Sequence, residues 1–195
     1  MKTIHTLPPT ALRLRRGQWL EIPLAGGGAW QVVHGMLLIG PARVDGGAPW
    51  QIALPGDWLH LEVLCGLPQD LGITALTPSL LRPVPTKQCF DPVALLQRML
   101  RQYQRWAEQM LGLRTGPVEQ RMGQLLRLAR QANPQSTNPA GPPPLPTLRD
   151  IARLVDAAPE TACRVLARLQ PKHQPVAVAP RRTTRQTASP AWATA

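Results

Sequence analysis

An α+β fold with two unlike halves is predicted by three observations. Residues 1–90 break into short apolar runs separated by Gly and Pro. Residues 91–131 repeat apolar side chains at helical spacing. Residues 147–169 carry two short helical patterns around a tight turn. Many short strands followed by a run of helices is the pattern of segregated α and β layers.

The first half offers seven candidate strands: Gln18–Pro23, Ala29–Val33, Met36–Ile39, Trp50–Leu54, Trp58–Leu64, Gly72–Leu76 and Leu80–Pro83. Gly26-Gly27-Gly28, His34-Gly35, Asp45-Gly46-Gly47 and Pro55-Gly56-Asp57 separate them. Such turns suit backbone conformations that strands cannot continue through. With no helical stretch among them, the strands imply a sandwich or a barrel.

Asp91-Pro92 is a helix start: Asp caps free N–H groups, and Pro suits the first turn, where its missing N–H costs nothing. Val93, Leu96, Leu100, Tyr103, Ala107 and Met110 then alternate at three and four residues, the seam of a coiled coil. Leu95, Met99, Trp106 and Leu113 add a second stripe, so the helix has one apolar face for the β half and another for a partner helix. Gly112 to Pro117 interrupts the pattern, and a second helix is predicted over Val118–Arg130. Asn133 to Pro146, with Gly141-Pro142-Pro143-Pro144, reads as a stiff extended linker.

In the third region Thr147 is placed to cap one helix, with Asp150 three residues on. Ile151, Leu154 and Val155 share a buried face. Asp156 and Ala157 form the turn, and Asp tolerates a left-handed backbone. Pro159 and Glu160 open the second helix, where Glu meets the positive end of the dipole. Ala162, Val165, Leu166 and Leu169 form its buried stripe, leaving Glu160, Thr161, Arg164 and Arg168 outside. This is a helix-turn-helix with a polar, basic outer face, a pattern shared by DNA readers and by ordinary helical hairpins.

Charge favours the first of these. The net charge is +11, distributed as +2 over residues 1–90, +4 over 91–131 and +5 over 132–195. Phosphates are the expected partner of such an excess. Cys65, Cys89 and Cys163 are widely spaced, with no CxxC pair, so neither a zinc nor an iron–sulfur site is implied. No run approaches a membrane span, and Met1 to Leu14 lacks the apolar core of a signal peptide. A cytoplasmic location without membrane partners is the expectation.

The Thr147–Leu169 segment resembles the C-terminal winged helix-turn-helix of the Crp/Fnr family of bacterial transcription regulators. Thr147, Asp150, Ile151, Ala152, Val155, Glu160, Thr161, Cys163, Arg164, Leu166 and Leu169 match its motif. Asp156 stands at the family's turn glycine, and Ala158-Pro159 replaces a Ser-Arg pair whose Arg usually meets a base. Leu148 replaces a phosphate-binding Arg, for which Arg149 is a substitute. Val118, Arg121, Met122 and Leu128-Ala129 resemble the family's first DNA-domain helix. In the β half, Trp30–Ile39 with its Gly35 turn, followed by Pro55-Gly56-Asp57-Trp58, resembles the family's cupin-like double-stranded β-roll.

The resemblance implies a β-roll sensor domain over 1–90, a dimerisation helix over 91–113, a DNA-binding domain over 114–180 and a basic, disordered tail over 181–195. It implies base reading by Glu160, Thr161 and Arg164. Phosphate contacts fall to Thr147, Arg149, Arg153, Arg168 and Lys172. The partners implied are double-stranded DNA, a second copy of the chain and RNA polymerase. Asp70-Leu71-Gly72 lies where cyclic-nucleotide sensors of the family hold phosphate with an Arg-Ser pair, so no cyclic-nucleotide response is expected. No cofactor, metal or enzymatic activity is implied, and the effector is left open. After Leu169, Val176–Ala179 offers one wing strand, and a second is hard to place.

Two rivals follow from particular residues. His60 and Glu62, one residue apart, point to the same side of a continuous strand and suggest two metal ligands of a cupin enzyme or binding protein. Pro159 and the poor wing suggest instead a degenerate regulator without specific DNA reading.

Overall fold

The computed structural model describes residues 11–21, 28–41, 51–61, 71–84, 91–133 and 143–170. In the β half, eight strands form two antiparallel four-stranded sheets among these residues. They are Leu12–Leu14 (β1), Trp19–Glu21 (β2), Trp30–His34 (β3), Leu37–Pro41 (β4), Gln51–Ala53 (β5), Trp58–Leu59 (β6), Leu71–Ala75 (β7) and Ser79–Pro83 (β8). One sheet runs β1-β8-β3-β6 and the other β2-β7-β4-β5. Each of the seven predicted runs contains or overlaps a strand. Strand β1 matches none of the seven, because three residues are too few to show an alternation.

Trp30, Val32, Leu59 and Leu81 from one sheet meet Leu37, Ile39, Ala53, Ile73 and Ala75 from the other in a closed apolar core. Burial of that surface is the main drive for stacking the sheets. The chain crosses between sheets at Gly35, whose φ is +95°, and a Cβ there would lie 2.6 Å from the Pro78 carbonyl oxygen. Only glycine fits both demands.

The expected alternation fails at His60. Strand β6 ends at Leu59, and His60 is buried with φ +65°. Its Nδ1 lies 3.3 Å from the Gly28 carbonyl oxygen. A residue in the left-handed region breaks the two-residue repeat, so the same-side placement with Glu62 no longer follows from strand geometry. Glu62 itself lies outside the described residues, as do Asp70, Cys65 and Cys89.

Helix α1 spans Pro92–Arg114, α2 Val118–Gln131, α3 Leu148–Leu154 and α4 Pro159–Leu169. The Asp91 carboxylate accepts from the Val93 N–H at 3.1 Å, as the cap requires. Gly112 does not interrupt α1, which runs on to Arg114; the break comes at Gly116, with φ +82°. A lone glycine costs a helix about 1 kcal/mol, too little to end one packed along its length.

Trp106 and Leu113 of α1 are buried, and Leu95 and Met99 are half-buried against Leu61 and Val84. The predicted seam divides. Val93, Leu96 and Leu100 are 60%, 57% and 61% exposed, and Ala107 is also exposed. Tyr103 and Met110 are half-buried and pack on the chain's own core.

The helical region shares a core with the β-roll. Met36, Ile52, Leu54 and Leu76 join Leu113 of α1, Met122, Leu125 and Leu128 of α2, Ile151 and Leu154 of α3 and Val165 of α4 in one cluster. The Gly35 N–H also donates to the Ala132 carbonyl at 2.7 Å. The interval 115–117 is thus a helix break without a gap in packing.

Candidate nucleic-acid interface

The interface begins with a cap. The Thr147 hydroxyl oxygen accepts from the Asp150 N–H at 3.2 Å, and the same hydroxyl lies 2.5 Å from the Asp150 carboxylate. This fixes the start of α3, whose Ile151, Ala152 and Leu154 are buried, together with Val155 beyond it. The turn is left-handed at Asp156, with φ +48°, as the sequence predicts. Pro159 occupies the first turn of α4, and Ala158 before it supplies no side-chain cap.

The turn is also held from a distance. Arg121 on α2 donates through one guanidinium nitrogen to the Val155 carbonyl at 2.6 Å and the Asp156 carbonyl at 3.1 Å. Arg114, at the end of α1, lies 3.9 Å from the Asp156 carboxylate. The family-like phrase around Val118 contains Arg121, but no spacing rule connects it to a turn 34 residues away. Its cation satisfies two carbonyls that the turn leaves outside the helices, a charge-assisted arrangement stronger than a neutral one.

Ala162 and Val165 turn inward from α4. Leu166 is half-buried, and Leu169 is 43% exposed rather than buried. Glu160 and Arg164 are exposed on the opposite side and Thr161 is half-buried. Cys163 is a free, exposed thiol beside Arg164. Thr147, Arg149 and Arg153 are exposed around α3. A shallow cleft of about 410 Å³ at the entry to α4 is lined by Arg149, Arg153 and Pro159.

Arg168 is exposed and donates to the Glu119 carboxylate at 2.6 Å, joining the ends of α4 and α2. A backbone hydrogen bond at Glu119, and then Arg168, hold that carboxyl below its ordinary value. Lys172, the candidate wing strand and the basic tail lie outside the described residues.

The surface can therefore present two carbonyl-anchored helices, a carboxylate, a hydroxyl and several guanidinium groups to a polar partner. Guanidinium forks match guanine edges and phosphates, and a Glu carboxylate accepts from cytosine. Among the described residues no three His, Cys, Asp or Glu side chains are grouped to hold a metal ion. Among them, too, no helix is long and apolar enough to cross a membrane.

No protein-family model matches the sequence, and no curated protein matches it. Solved structures do match in fold. A CRP/FNR-family transcriptional regulator from Thermus thermophilus superposes with a TM-score of 0.58 at 19% identity, covering 84% of this chain and 87% of its own. FixK2 from Bradyrhizobium japonicum gives 0.58 at 20% identity, covering 83% and 84%. A second transcriptional regulator from Thermus thermophilus, of the CRP family, gives 0.56 at 22% identity, covering 82% and 84%. The fold is the one these regulators share: an antiparallel β region, a long helix and a helical C-terminal part.

Proposed function

We propose that this chain is a Crp/Fnr-type transcription regulator that binds a two-fold symmetric DNA site as a homodimer. One observation carries the reading: α4 turns Glu160 and Arg164 to solvent, with Thr161 at the margin, on a turn fixed by Arg121. The regulators that share the fold support it. Glu160, Thr161 and Arg164 read base edges. Thr147, Arg149 and Arg153 meet phosphate, with Lys172 beyond them, and Arg168 joins them by exchanging Glu119 for a phosphate. Val93, Leu96 and Leu100 open the dimer seam, placing two half-sites about 10 base pairs apart. RNA polymerase is the further partner this reading entails, and Asp70 disfavours a cyclic-nucleotide effector.

A binding selection on random duplexes tests the reading, with a symmetric motif expected. Arg164→Ala is expected to cost about 1–3 kcal/mol at one base pair of each half-site. Arg149→Ala is expected to weaken all sequences alike and to flatten the salt dependence. Pro159 favours a second reading, in which the chain has lost specific DNA recognition, because it stands where a base-reading Arg would. That form returns no motif from the selection while still binding duplex at low salt.

A further inference from the structure

A groove of about 790 Å³ lies between α1 and the Pro55-Gly56-Asp57-Trp58 turn that joins β5 to β6. Its volume falls in the range of small-molecule sites. Arg98, Arg101 and Arg105 line it at three- and four-residue spacing, so they stand along one side of α1. Like charges at this spacing repel and weaken the helix that carries them.

The three cations are not equally compensated. Arg105 donates to the Asp57 carboxylate at 2.8 Å. Arg98 stacks on the Trp58 ring at 4.3 Å from its centroid and, among the described residues, donates to the Gly56 carbonyl at 3.5 Å. Arg101 is exposed and makes no hydrogen bond or ion pair among the described residues. Along the wall, the buried side-chain oxygen of Gln109 has no partner among the described residues. An amide can turn to offer either its oxygen or its N–H groups. Leu54 and Leu95 supply an apolar margin. The interior of the roll, by contrast, is filled by Trp30, Leu37, Leu59, Ile73, Leu81 and Trp106.

We propose that this outer groove binds a small organic anion bearing two phosphate or carboxylate groups, with Arg98 and Arg101 as its charged anchors. The two side chains rise from adjacent turns of α1, and each guanidinium can take one anionic group through paired N–H bonds. Occupancy removes the repulsion between them. Gln131 at the end of α2 also lines the groove, so its walls come from the roll, α1 and α2 together. The proposal does not depend on DNA binding.

Isothermal titration of the full chain with pyrophosphate and with citrate, at fixed ionic strength, tests it. Binding of either anion is expected, with affinity reduced about tenfold or more in Arg98→Gln/Arg101→Gln, in line with the loss of charge-assisted bonds. Arg164→Gln is the control for the helix-turn-helix and is expected to bind like the unaltered chain. If the double variant does not fold, Arg101→Gln alone serves, because that side chain has no partner to lose among the described residues. Binding of neither anion overturns the proposal, as does equal binding in the groove variants or loss of binding in Arg164→Gln.

Discussion

The two long faces of α1 are built on opposite principles. The inner face is fastened by directional bonds in an apolar setting. Gln102, buried, accepts from the Trp58 N–H at 2.8 Å and donates to the Trp58 carbonyl at 2.7 Å. The buried Asp57 carboxylate accepts from the Trp106 indole N–H and from the Leu54 N–H, both at 2.9 Å, and from Arg105 at its outer oxygen. The outer face offers Val93, Leu96, Leu100 and Leu111 to solvent. Directional bonds fix one register of the helix on the roll, whereas exposed aliphatic groups set only an apolar patch. The inner contacts therefore complete the chain itself, and the outer ones are what a second copy would cover.

Asp57→Ala should be the severest test of this contrast. It leaves two buried donors unpaired, at a cost of about 2–6 kcal/mol in total. Arg105, with half of its side chain exposed, adds little because solvent screens it. Urea unfolding is the measurement, and a loss below about 1 kcal/mol would mean that the turn is not fastened through this carboxylate. Trp106→Phe is milder. It removes the indole N–H and the atoms of one ring while keeping an aromatic side chain in place, for an expected loss of about 1–3 kcal/mol.

Leu96→Asp combined with Leu100→Asp probes the other face. Stability at low protein concentration should change by no more than about 0.5 kcal/mol per site, as at ordinary surface positions. Sedimentation should nevertheless show a monomer where the dimer proposed above is expected of the unaltered chain. A dimer that persists in this variant would move the interface away from the seam. The smallest effect is expected at Glu119, away from both faces. Its carboxyl is held below the ordinary 4.5 in the folded chain, so its contribution is present above that value and fades as pH falls through the lowered one. Glu119→Gln should flatten the acid limb of a thermal-stability profile, and an unchanged limb would show that Arg168 gains nothing from this partner.

Much of this arrangement was legible along the chain because its causes are local. Asp91-Pro92 starts α1 through a hydrogen bond two residues away. Thr147 and Asp150 cap α3 within one turn, and Asp156 adopts the left-handed turn that its side chain tolerates. The three- and four-residue rhythm of α1 named both apolar faces. Rhythm could not say which members of the seam would be covered, and Tyr103 and Met110 pack inward while Val93 and Leu100 do not. Strand alternation likewise failed at His60, where the neighbouring backbone fixes a left-handed residue that its type does not announce.

Sequence alone determined the order of the elements after β1, the caps of α1 and α3, the turn at Asp156, the strand-rich first half and the basic second helix, because each rests on side chains a few residues apart. Tertiary structure decided the rest. It brought Asp57 to Trp106 across 49 residues, Arg121 to Val155 across 34 and Gly35 to Ala132, and so merged roll and helix-turn-helix into one core. A pairing at such separation depends on how whole elements pack to bury their apolar faces, and no periodicity within one segment records which distant partner will meet it.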